Sequence, residues 1–231
     1  MIYCTYKDNK ERIGVMVAGV GRGAHRKGAT YESNIAKKLT KMFPGIEFHR
    51  TAYSGSTSNA GAQAGVNGFT GDLYILGDTQ LTDMFSYELK NHSGMNLRQI
   101  FNNGATFRNF LQQNVADARR QDSIPVLIMH TDEREDVVTI PYQKDMYQFL
   151  VDNELPAMIT HGRYTDDRTQ VEDNFDLIVT SLKGFGAPTA NELHRFYTKL
   201  DWDKYNKNNE VVEETIDVDK IVEEIDNEEE S

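Results

Sequence analysis

The sequence of 231 residues predicts an α/β protein in which a mixed β-sheet is flanked by helices. Two observations lead there. Short apolar or alternating runs bounded by turn residues read as strands, and longer stretches with apolar residues at helical spacing separate them. Their order is a helix, three strands, a long helix and then further strands.

The first elements can be placed in turn. An apolar run over 13–20 leads into the glycine-rich basic stretch Gly21 to Gly28. A helix is expected from Thr30, whose side chain suits an N-cap. Tyr31, Ile35, Leu39 and Met42 then share one side, Lys37, Lys38 and Lys41 fall largely on others, and Pro44-Gly45 stops the helix. Residues 46–54 read as a strand, and 54–71, rich in Gly, Ser, Ala and Asn, as a flexible loop. Strands at 72–77 and 85–91 follow, joined by a polar turn that begins Gly77-Asp78.

One long helix is expected over about 96–121, with Ile100, Phe107, Leu111, Val115 and Ala118 along one side. Pro125 opens a buried strand that ends at His130, and 137–142 is placed to pair with it. A short helix at 144–153, a strand at 174–182 and a helix at 189–202 complete the series. The expected organisation is a core over 1–152 with a basic N-terminal arm, a C-terminal extension over 153–203, and an acidic, disordered tail over 204–231. Residues 221–225 in that tail suit a short amphipathic helix on a protein partner, although a solvated tail is the plainer account.

Composition narrows the function. No apolar run approaches the roughly 18 residues of a membrane span, and the N-terminus lacks the build of a secretory signal. Cys4 is the single cysteine, so no internal disulfide and no cysteine-based zinc site can form. A cytoplasmic protein is expected. The net charge is −11, but it is unevenly spread. Residues 1–50 hold ten Lys/Arg against four Asp/Glu, whereas 204–231 hold three against eleven. That asymmetry suits a localised phosphate-binding face; basic residues merely solvating a helix are the alternative.

The six histidines are dispersed, with no pair at metal-ligand spacing. Gly19, Gly21 and Ala24 fit the G-x-G-x-x-A pattern of dinucleotide-binding folds, but a helix starting only at Thr30 leaves the basic residues 25–27 where its first turn should lie. A mobile arm suits the segment better, with Arg22, Arg26 and Lys27 reaching for phosphates.

The chemistry resides in Asp72, followed after an interval by Glu88-Leu89-Lys90. Alternation along a strand puts Glu88 and Lys90 on one face and Leu89 in the core. Antiparallel pairing of 72–77 with 85–91 would bring Asp72 close to Glu88. Two such carboxylates repel unless a cation lies between them, and a hard oxygen donor set favours Mg²⁺, with Mn²⁺ as a substitute. The ammonium of Lys90 could then orient water and stabilise charge on a phosphate oxygen. A surface ion pair between Glu88 and Lys90 is the competing account.

Arg26-Lys27-Gly28, Tyr31-Glu32, Pro44-Gly45, His49-Arg50-Thr51, Ser54-Gly55, Gly71-Asp72 and Glu88-Leu89-Lys90-Asn91 occur in that order, followed by a glutamine-bearing helix and a Pro-led strand over 110–130. Across about residues 22–150 the chain resembles the Holliday junction resolvase-like branch of the PD-(D/E)XK nucleases, including phage enzymes of that type. The resemblance implies a restriction-endonuclease-like core. It makes Asp72 and Glu88 metal ligands, the carbonyl of Leu89 a further one, and Lys90 the water- and phosphate-orienting lysine. Glu32 would be an additional metal-contacting carboxylate, unless it only stabilises its helix N-terminus. Arg50 and Ser54 would contact DNA near the scissile phosphate. Gln113 would be the helix glutamine facing the site, with Gln112 as the other candidate. The implied activity is Mg²⁺-dependent cleavage of branched DNA, such as a four-way junction, by a homodimer. Flaps, ends or foreign duplex are alternative substrates, and a non-catalytic DNA-binding or assembly protein is the alternative class. The chain departs from compact cellular resolvases in its longer segment between Ser54-Gly55 and Asp72, and in everything after 153.

Overall fold

The computed structural model describes residues 27–51, 71–77, 79–131 and 136–203. Among them lies one seven-stranded mixed sheet: β1 (Glu47–Arg50), β2 (Leu73–Leu76), β3 (Phe85–Asn91), β4 (Ile124–His130), β5 (Asp136–Pro141), β6 (Met158–Thr165) and β7 (Glu172–Ser181). Its order is β1-β2-β3-β4-β5-β7-β6, with β3 and β4 parallel and every other neighbouring pair antiparallel. The helices are α1 (27–42 of the described residues), α2 (Leu97–Phe101), α3 (Ala105–Arg120), α4 (Lys144–Asp152), α5 (Leu182–Phe185) and α6 (Ala190–Tyr197). The expected α/β class with a mixed sheet is what the chain adopts.

Two local expectations change. α1 already includes 27–30, so Thr30 lies inside the helix and does not cap it; capping preference is a weak signal where neighbours such as Lys27 and Ala29 also favour helix. The helix expected over 96–121 is two helices. Asn102 and Asn103 break it, and Asn103 adopts φ +50°, the left-handed region that asparagine tolerates. The side chain of Asn103 then reaches β6. Its amide nitrogen donates to the His161 carbonyl and its amide oxygen accepts from the Arg163 N–H, each at 2.8 Å.

The stretch after 153 supplies β6 and β7 to the same sheet, and α6 closes it with a Thr189–Glu192 capping box. The readings for 204–231 and for the loop before 71 fall outside the described residues.

Helix α3 positions the site. It packs against β3, β4 and β6. Four strand spacings of about 4.8 Å separate β3 from β6, well beyond the roughly 10 Å width of a helix, so the sheet must curl around α3. Gly162 on β6 permits the approach, because a Cβ there would meet Leu177 Cδ1 at 2.5 Å and Leu111 Cδ2 at 2.9 Å. Asn114 pins α3 to two strands, donating to the carbonyls of Ser86 at 3.2 Å and Val126 at 3.5 Å. On the opposite face Phe43, Phe48, Phe85, Tyr87 and Phe185 pack edge to face or tilted, beneath α1 and α5.

Candidate active site

Gly71 adopts φ +85°, and a Cβ there would stand 2.7 Å from the Tyr87 carbonyl oxygen. Only glycine fits this turn, which delivers Asp72 to the end of β2. Asp72 is tied on both sides: its N–H donates to Tyr87 O at 2.7 Å and its carbonyl accepts from Thr51 N at 2.9 Å. Its carboxylate accepts the Leu89 N–H at 2.8 Å. Asp72 is thus fixed against β3 beside Glu88.

Asp72 is 7% exposed and Glu88 2%. Burial raises the pKa of Asp72 to about 6, with Glu32 adding to the rise while the Leu89 N–H and Lys90 oppose it. Glu88 is pushed up to about 8, first by burial and then by the charge of Asp72, against the pull of Lys90. The two acids titrate as a pair, and in both the proton is held more tightly than in water.

Lys90 forms an ion pair with Glu88 and donates to Gln113 Oε1 at 2.8 Å. Its ammonium lies 5.2 Å from the Phe110 ring centroid. Between the two glutamines left open by sequence, Gln113 meets Lys90, while Gln112 is half-buried beside it. Glu32, on α1, forms an ion pair with Arg50 at the end of β1. Leu89 is buried, and its N–H is the one that Asp72 accepts. The structure therefore brings Glu32, Arg50, Asp72, Glu88, Leu89, Lys90 and Gln113 to one end of β3. Lys27 stands at the start of the described part of α1, and Arg22, Arg26 and Ser54 lie outside the described residues.

Asp117 was missed by sequence reasoning. It sits one turn after Gln113 on α3, pairs with Arg120 at 2.5 Å, and its charge raises the pKa of both Asp72 and Glu88. Burial raises its own pKa, with Arg120 and Lys90 opposing. The i, i+4 spacing from Gln113 was the available signal.

Three acids, Glu32, Asp72 and Glu88, outnumber the cations Lys90 and Arg50 in this cluster, and buried carboxylates with raised pKa values suit a hard divalent cation. Among the described residues no group of three or more His, Cys, Asp or Glu side chains forms a ready-made metal cage.

A family model described as "Phage putative PDDEXK endonuclease" matches residues 23–195. No curated protein and no solved structure matches the chain.

Proposed function

The chain belongs to this family of phage PD-(D/E)XK endonucleases, and on that premise we propose that it hydrolyses phosphodiester bonds of branched DNA with Mg²⁺, or Mn²⁺ in its place. The observation that carries the reading is the pair of buried acids, Asp72 and Glu88, with the ammonium of Lys90 against Glu88. Asp72, Glu88 and the Leu89 carbonyl would hold the cation, with Glu32 contacting it directly or through water. When bound, the cation supplies Lewis-acid charge beside the phosphate and lowers the proton affinity of water.

The chain's own groups account for the remaining roles. Lys90, held by Glu88 and Gln113, keeps an ammonium directed at the scissile phosphate, where negative charge grows during in-line attack by water. Gln113 fixes that ammonium in place. Arg50 balances Glu32 and faces the DNA backbone with Ser54, while Arg22, Arg26 and Lys27 contact neighbouring phosphates. Cleavage leaves 5′-phosphate and 3′-hydroxyl ends, and two symmetric nicks at a four-way junction call for a homodimer. The acidic segment 204–231 is left for a protein partner.

Purified protein should nick a synthetic four-way junction in Mg²⁺, and Asp72→Asn or Glu88→Gln should abolish nicking while leaving the circular dichroism spectrum unchanged. Full nicking by either variant would defeat the reading. A substrate panel of junction, flap, linear duplex and single strand separates the preferred structure from its alternatives. Junction binding in Ca²⁺ with no cutting in Mg²⁺ or Mn²⁺ would favour the non-catalytic alternative.

A further inference from the structure

A cleft of about 290 Å³ opens beside Glu32, lined also by Lys27, Tyr31, Leu89, Asn91 and Ser93. It shares Glu32 and Leu89 with the candidate site, and Asn91 lies on the same face of β3 as Leu89, across the strand from Glu88 and Lys90. Its volume lies near the lower end of small-molecule pockets, roughly 300–1,000 Å³, which leaves room for one nucleotide and none for a duplex.

One wall of the cleft is held in place by a network with no part in the metal chemistry. The Tyr31 hydroxyl donates to Asp136 at 3.2 Å, and Asp136 is also held by Lys38 at 2.5 Å and His130 at 3.1 Å. The Tyr31 ring rests against the His130 ring, with centroids 5.9 Å apart. Asp136 is buried to 7% side-chain exposure, so the tether that fixes the tyrosine is itself fixed. The rest of the lining carries complementary chemistry. Lys27 supplies a cation, Asn91 an amide that can both donate and accept, and Ser93 a hydroxyl. Glu32 is already balanced by Arg50.

A flat, pre-positioned ring, an amide able to read a base edge and a cation for a phosphate, all beside a nuclease site, describe a nucleotide pocket. We propose that this cleft receives one unpaired nucleotide of the DNA strand adjoining the scissile phosphate, its base stacked on Tyr31, its edge against Asn91 and its phosphate at Lys27. The assignment rests on the nuclease reading and deepens it. A matched junction keeps its bases paired, so the cleft would take a nucleotide whose pair opens at the branch, where opening costs less than within continuous duplex.

The test uses full-length protein and four-way junctions carrying one mismatched nucleotide at each position within three nucleotides of the branch, each compared with the same junction made base-free at that nucleotide. Affinity is measured in Ca²⁺ by fluorescence anisotropy. Stacking is worth about 1–3 kcal/mol per base, so removing the base at one position should weaken wild-type binding about tenfold. Asn91→Ala and Tyr31→Ala should bind the mismatched junction about tenfold more weakly and no longer distinguish it from the base-free one. Asn91 is exposed, so its variant keeps the test valid even if Tyr31→Ala fails to fold. Wild-type binding that ignores every base-free position, with nicking intact, would overturn the pocket and leave the nuclease reading standing. Absence of both binding and nicking would overturn the two together.

Discussion

At the scale of single residues, the carboxyl pair links stability to pH. The folded-state pKa values of Asp72 and Glu88 lie above their ordinary values, at about 6 and about 8, so folding favours the protonated forms. That contribution is complete below about pH 4 and is lost as pH rises towards about 8. Metal-free protein should therefore become less stable across this window. Glu88→Gln should flatten the dependence and raise metal-free stability at pH 8 by roughly 2 kcal/mol. Mg²⁺ should stabilise the wild type more at pH 8 than at pH 5, since protons and the cation compete for the same oxygens. Thermal unfolding in EDTA and in Mg²⁺ across the range checks each point, and a flat wild-type profile would count against the burial of the pair. Asp166 behaves in the opposite sense: the guanidinium of Arg168 holds its carboxyl below the usual range, so its contribution is lost only at strongly acidic pH.

At the scale of elements, the Asn103 junction between α2 and α3 offers a test away from the chemistry. Its amide replaces two hydrogen bonds that the edge of β6 would otherwise make to water. Asn103→Ala should cost about 1–3 kcal/mol, measured by urea unfolding, and leave DNA nicking unchanged. This junction also shows what the sequence conceals. Ile100, Phe107 and Leu111 keep a helical phase across the break, so periodicity reads straight through it, although Asn102-Asn103-Gly104 is a turn signal in its own right. β6 escaped for a related reason. Met158–Thr165 contains a glycine, and its three buried positions are Thr160, Gly162 and Tyr164, so no aliphatic alternation marks it. The strand β4 was readable because it is nearly continuous apolar sequence buried on both faces, and β3 because Phe85, Tyr87 and Leu89 alternate with polar residues. Asp72, Glu88 and Lys90 were readable because neighbouring strands bring them together over a short sequence interval. Asp117 and the cleft wall of Tyr31 and Asp136 were not, since contacts between distant segments create them.

At the scale of the whole molecule, Arg119 joins segments that sequence separates widely. From α3 it reaches Asp166 at 2.9 Å, Asp203 at 2.5 Å and the Tyr164 hydroxyl at 3.1 Å, and it lies 5.7 Å from the Trp202 ring centroid. Trp202 in turn donates its indole N–H to the Ser123 carbonyl at 2.9 Å. The helix that presents Gln113 to Lys90 is thus anchored at its other end to the β6–β7 turn and to the last described residues. Replacing Arg119 by leucine leaves Asp166 to Arg168 alone and removes the tie to Asp203, and should cost about 1–3 kcal/mol of global stability, read as a lowered Tm. Nicking at low temperature should survive, because no Arg119 contact involves the carboxylate pair.

The Asn103 amide has a further consequence for how copies of the chain can meet. An unprotected outermost strand is a template on which another polypeptide can lay itself, and repetition of that event builds fibres. By occupying the outward peptide groups of His161 and Arg163, one side chain interrupts that template midway along β6. A second copy cannot extend the sheet without a gap there, so self-association through β6 would first have to dislodge an asparagine.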